Sequence, residues 1–202
     1  MLNETSTATV AATRTALKEW AVAVKALEEG REVLILRKGG IHEKRFPLEH
    51  REFLLYPTYD HQREDLLKPD FHWDLKEVLL MRCPPGKVRI SAFARATDVW
   101  ELRSAEALLA LSPHFMWTAE YAGERLRWRP TQPLRVIALR VYRLPEPRII
   151  DALPEYGGCL SWLELAEAFS LADVQPVLDD AAYAARIAPI RAILQSAIAP
   201  ER

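Results

Sequence analysis

The stretch "TALKEWAVAVKALEEGREVLILRKGG", residues 15–40, holds two patterns end to end. Leu17, Trp20, Ala21, Val24 and Leu27 recur at the three- and four-residue spacing of one helical face, and Gly30 stands where a left-handed cap ends a helix. The pattern predicts an amphipathic helix over residues 15–29. Residues 32–38 then carry Val33 and Ile35 on one strand face and Leu34 and Leu36 on the other. Apolar side chains on both faces mark an interior strand of a sheet, which Gly39-Gly40 breaks.

The rest of the chain adds elements without a regular alternation. Residues 52–56 read as a strand stopped by Pro57, and Thr58 or Asp60 is placed to cap a short helix ending at Leu67. Residues 77–82 and 87–94 read as a hairpin joined by Cys-Pro-Pro-Gly, and residues 98–111 as a helix with Pro113 beyond its end. Strands are predicted at residues 125–129 and 134–144, separated by "PTQP". Ser161 and Glu164 form a capping-box signature opening a helix to Phe169, and residues 174–198 read as helical with an interruption at Pro189. Interspersed elements of this kind predict an α+β fold: a mixed, curved or barrel-like sheet of about six strands, flanked by helices and followed by a C-terminal helical tail. The expected organisation is a flexible arm over residues 1–13, an α+β core over 14–150 and a helical extension packed on it over 151–202.

Charge narrows the function classes. Over 202 residues the net charge is -1 and the pI about 6.5, which excludes a protein that coats nucleic acid through bulk positive charge. The positive charge is nevertheless concentrated, since residues 121–148 hold seven arginines and two glutamates, whereas residues 149–202 hold eight acids and three arginines. Two cysteines, Cys83 and Cys159, are too few for a disulfide framework and point to a reducing cytoplasm. No apolar run has the length of a membrane span, and the first fifteen residues lack a signal peptide's basic start and apolar core.

Several groups are candidates for chemistry. Arg37, Lys38, Gly39 and Gly40 end an interior strand, where freed backbone amides beside two cations suit an anion, although neither a Walker loop nor a dinucleotide fingerprint is present. The alternative is a hairpin turn with surface charges. Arg140 lies in a doubly apolar strand and requires either a carboxylate or a bound anion. The expectation is one anion pocket shared by the Arg37–Gly40 turn and Arg140, near His61.

His42, His50, His61 and His72 fall within one segment at spacings that match no compact zinc pattern, so no metal or other cofactor is expected. His61 and His50 are the candidate catalytic residues. His61, followed by Gln62 and preceded by Thr58, Tyr59 and Asp60, reads as a general base held by Asp60 or Glu52, or as a helix cap. Asp70, Asp74 and Lys76 imitate a nuclease acid-acid-lysine set but lie too close together to occupy neighbouring strands, which leaves a charged loop around Trp73. Arg125, Arg127 and Arg129 share one face of their predicted strand, opposite Leu126 and Trp128. They form either a solvated basic face or a phosphate-tracking row with Tyr121 or Trp117 available for base stacking.

Four ordered blocks, "LRKGGIHE", "FLLYPTYDHQ", "RVIALRVYRL" and "YGGCLSW", resemble the bacterial family known as domain of unknown function 1802, from Ala16 to about Trp162. The resemblance implies a shared architecture and carries over no catalytic residues. The functional expectation is therefore a module that binds a phosphate-containing ligand, a nucleotide or nucleic acid. Two alternatives are a phosphodiesterase or nuclease-type enzyme using His and acidic residues, and a regulatory protein–protein interaction domain acting through the acidic tail.

Overall fold

The computed structural model describes residues 11–38 and 50–198, with side chains to Ser196. Strand β1 (Ala12–Trp20) runs directly into helix α1 (Ala21–Glu28), and β2 (Leu34–Arg37) and β3 (Glu52–Thr58) follow. After two short 3-10 turns come helix α2 (His72–Leu80), the long strand β4 (Lys87–Leu102), α3 (Ala105–Ala110) and α4 (Ala119–Arg127). Strand β5 (Leu134–Asp151), β6 (Trp162–Ser170), β7 (Gln175–Pro176) and α5 (Asp180–Ile198) complete the chain.

The strands form one open, mixed sheet in the order β2-β5-β4-β3-β1-β6, with β7 added to β5. The β1–β3 pair is parallel and the other pairs are antiparallel. Register shifts between Ile90 and Ala92 and between Ala96 and Asp98 bend β4 against β5, giving the sheet its curvature. The α+β class, the mixed sheet and the terminal helix agree with the sequence reading. Among the described residues, no helix is long and apolar enough to cross a membrane.

Three apolar clusters hold the fold together. On one face of β2 and β5, Leu34, Leu36, Val136 and Ala138 meet Val22 and Ala26 of α1, Leu108 of α3, Ala122 of α4 and the buried side of α5. On the other face, Ile35, Ile137 and Leu139 meet Leu17, Phe53 and Ala94. A third cluster joins Val88, Ile90, Leu144 and Ile150 to Leu163, Leu165 and Phe169 of β6. Helix α5 buries Tyr183, Ile187, Ile190 and Leu194, which follow helical spacing. It is pinned further by Arg191 donating to Asp98 (3.0 and 2.8 Å) and by the Tyr183 hydroxyl against Thr97 (2.6 Å).

Several local expectations are corrected. The helix expected over residues 15–29 begins only at Ala21, because residues 12–20 pair with both β3 and β6. Leu17 and Trp20 of this strand fall three residues apart, and so fit the spacing of the helix that follows by coincidence. Pro57 does not end β3, which continues to Thr58 with Pro57 opposite Glu19. The short helix after it is only a 3-10 turn, Glu64–Leu66. Residues 77–82 are not a hairpin arm but mostly the end of α2, where Leu80 and the capping Met81 are exposed. The helix expected from residue 98 starts at Ala105, where Ser104 accepts the Ala107 amide (3.2 Å), since 98–102 still pair with β5.

Residues 125–129 belong largely to α4 and not to a strand, because Thr118 caps that helix by accepting from the Tyr121 amide (3.3 Å). The Ser161–Glu164 signature opens no helix. The segment is β6, with Leu163 and Leu165 inward and Glu164 outward, and it pairs with β1. Residues 151–198 thus contribute β6 and β7 to the sheet before α5, and Ala12 and Thr13 are already paired with Ser170 and Phe169. Helix α5 continues through Pro189 without a break, since Pro189 and Ala185, whose carbonyl loses its donor, both lie on the exposed side.

Candidate aromatic and basic cleft

Where β1 ends, "KEW" places Lys18, Glu19 and Trp20 beside the end of β2 and the start of α4. Trp20 packs edge-on against Trp117 at 5.1 Å between ring centroids and lies nearly parallel to Tyr121 at 6.4 Å; Trp117 and Tyr121 are 5.2 Å apart. Such ring pairs contribute about 0.5–1.5 kcal/mol each beyond their burial. Trp117 is buried, whereas Trp20 and Tyr121 are half-buried and turn part of their surface to a cleft of about 560 Å³.

Four cations line this cleft, Lys18, Arg37, Lys38 and Arg125, against two carboxylates, Glu19 and Asp60. Glu19 is buried, accepts from the Trp20 amide (2.9 Å) and pairs with Arg37 at 3.3 Å. A buried carboxylate of this kind fixes the guanidinium in place. Lys38 is also buried and donates to the Leu126 carbonyl in the last turn of α4, where the helix dipole favours a cation. Burial, then the neighbouring Arg125 and Arg103, hold the Lys38 ammonium below its ordinary pKa. Lys18 donates to the Tyr156 and Gly158 carbonyls, and burial lowers its pKa while Asp60 opposes the shift. The Arg125 and Arg129 guanidinium groups lie over the Trp128 ring, 5.3 and 4.5 Å from its centroid.

The structure divides the expected site residues between different places. Arg37, Lys38, His61 and Arg125 come together in the cleft, while Gly39, Gly40 and His42 lie outside the described residues. Arg140 does not join them. Its strand partners put it on the sheet face of Val136 and Ala138, whereas Arg37 shares the face of Ile35 and is opposite Arg135. The pocket expected for Arg37 and Arg140 together is therefore ruled out. Arg140 is compensated internally, by Asp180 at 2.6 Å and the Leu178 carbonyl at 3.2 Å, with its guanidinium over Tyr183.

Arg125, Arg127 and Arg129 form no common row, because positions two apart on a helix point away from each other and Arg129 follows the helix end in a left-handed conformation. His61 is exposed on the cleft rim with φ 62°, a conformation uncommon outside glycine. His50 lies apart, against Trp162, and Glu52 is paired with Arg95 and not with a histidine. Gln62 serves the fold: its Oε1 accepts the Val22 amide (3.0 Å) at the start of α1, and its buried Nε2 has no hydrogen-bond partner among the described residues. Asp74 sits in α2, paired with Arg31 at 2.7 Å, so the expected charged loop around Trp73 is a helix. Among the described residues, no three His, Cys, Asp or Glu side chains gather as a metal set.

Sequence reading assigned Trp20 to a helix's core face and passed over Lys18 and Glu19. The available signal was the pair of charges directly before Trp20, at the point where an apolar stretch changes from strand to helix.

Comparison with known proteins gives a family and little beyond it. Among curated proteins none matches the chain. A solved structure, a mutant of the ZmASCH protein from Zymomonas mobilis, is similar at 14% sequence identity over 87% of this chain and 94% of that one, with a TM-score of 0.39. The family model "Domain of unknown function (DUF1802)" matches residues 16–188, a span that runs from within β1 into the first half of α5, and the chain belongs to that family.

Proposed function

We propose that the cleft binds a ligand carrying both an aromatic base and phosphate: a nucleotide, or one nucleotide unit of a nucleic acid. The observation that carries this reading is the meeting of Trp20, Tyr121 and Trp128 with Lys18, Arg37, Lys38 and Arg125 around one cleft. Its volume falls in the roughly 300–1,000 Å³ range of small-ligand sites. Half-buried rings offer stacking worth about 1–3 kcal/mol per base, and a cation excess of two attracts phosphate. Because Arg37 and Lys38 are held by Glu19 and the Leu126 carbonyl, their charges are in position before a ligand arrives.

Titration calorimetry with a nucleoside monophosphate, the matching nucleoside and inorganic phosphate tests the reading. The nucleotide is expected to bind at least about tenfold more tightly than either fragment, and Tyr121→Ala to weaken it about 5- to 150-fold, the range that loss of one stacking contact produces. Equal binding of phosphate and nucleotide, or no binding of either, would reject it.

One observation favours a second reading. His61, Asp60, Glu19 and Arg37 share the cleft, and a histidine near carboxylates and a guanidinium is a set that phosphodiester cleavage employs. Cleavage of a single-stranded oligonucleotide by the wild-type protein, abolished by His61→Ala, would support an enzyme over a binding module.

A further inference from the structure

A second cleft of about 380 Å³ lies against the first. Arg37 and Lys38 line both and form the ridge between them. The second cleft adds Arg103 and Arg135, with Glu101 and Gln132, and no aromatic side chain lines it. Its cations come from the ends of neighbouring strands: Arg37 is directly opposite Arg135, and Arg135 is opposite Glu101. Arg135 and Glu101 pair at 3.3 Å, and exposed Arg103 reaches the Thr131 carbonyl at 3.4 Å.

Arg37 and Arg135 face each other with a carboxylate each, Glu19 and Glu101, and with Lys38 and Arg103 beside them the second cleft is lined by four cations and one carboxylate, a field that attracts a polyanion. Chemically the clefts are unequal. One has rings and cations, and suits a base with its phosphate. The other has four cations, one carboxylate and no ring, and suits backbone without a base.

Building on the proposed nucleotide site, we infer that the ligand is a single-stranded nucleic acid, longer than one nucleotide, whose backbone crosses the Arg37–Lys38 ridge from the aromatic cleft into the Arg103–Arg135 cleft. Burial first, and then Arg125 of the one cleft and Arg103 of the other, lower the Lys38 pKa, so the ammonium lies within the field of both clefts.

Affinity measured against a length series of one base, from the mononucleotide to the hexanucleotide at two salt concentrations, tests the path. Binding should tighten about tenfold or more between one nucleotide and four, with salt dependence steepening by roughly 0.7 for each added phosphate contact. Arg103→Glu, a change at an exposed residue, and the double change Arg103→Ala with Arg135→Ala should remove most of that gain and leave mononucleotide affinity as it was. A mononucleotide that binds as tightly as the hexamer would overturn the path and leave the nucleotide site standing. Variants that weaken both ligands equally would do the same. Absence of binding at every length would remove the nucleotide site and the path together, and equal affinity for a base-free polyanion such as polyphosphate would show charge recognition alone.

Discussion

Glu32 is buried two residues before the second strand, and its carboxylate accepts the Val33, Leu34 and Met116 amides at 3.0, 3.1 and 2.8 Å. Burial outweighs these donors and pushes its pKa up to about 7 from the ordinary 4.5. Between those pH values the folded protein holds a proton that the unfolded chain has released. The contribution to stability is therefore complete below 4.5 and is lost as the pH rises through 7, by roughly 3 kcal/mol. Denaturant unfolding at pH 4.5 and 8 should show the decline, and Glu32→Gln should remove that component of the slope; an unchanged slope in the variant would count against it.

Gly30 makes a sharper demand on geometry. Its φ is 70°, and a Cβ there would stand 2.7 Å from Leu178 Cδ2. Gly30→Ala should cost at least about 1 kcal/mol, read as a lower denaturation midpoint. The role of Gly30 as a left-handed stop was readable in the sequence. So was the need of Arg140 for a compensating group. Its partner Asp180 was not, because nothing local ties residues forty apart.

At the level of elements, reading went furthest where both faces of a strand had to be apolar. Strands β2 and β5 were recognised on that ground. Strand β1 offers no such signal, because only Ala16 and Leu17 are buried apolar residues in it and Leu17 and Trp20 continue the spacing of α1; its pairing with β3 and β6 makes it a strand. In β6 the Ser161–Glu164 capping signature competes with the inward Leu163 and Leu165, which alternate with Glu164, and the alternation prevails. Helix α5 gives a test in the other direction. Pro189 sits inside it on the exposed side, where removal opens no cavity and restores a backbone donor. Pro189→Ala should raise stability by up to about 3 kcal/mol. A fall in the thermal midpoint would mean that the ring makes a contact the helix needs.

For the molecule as a whole, composition and pattern were enough to give the α+β class, the mixed sheet and the terminal helix. The candidate site was only half readable. Its cations were visible as a local excess of arginine and as the Arg37-Lys38 pair, but which of them meet is decided by sheet order, which joins residues 18–20, 37–38 and 117–128 and sends Arg140 to the opposite face. The rings of the cleft were visible too, as Trp117, Tyr121 and Trp128, without Trp20 to complete them. Photocrosslinking with a 4-thiouridine-containing nucleotide, followed by peptide mapping, locates the ligand without relying on any variant. Adducts confined to the peptides that carry Trp20, Trp117, Tyr121 or Trp128 are the expected result; adducts spread over other surfaces, or none above a denatured control, would contradict a nucleotide site in this cleft.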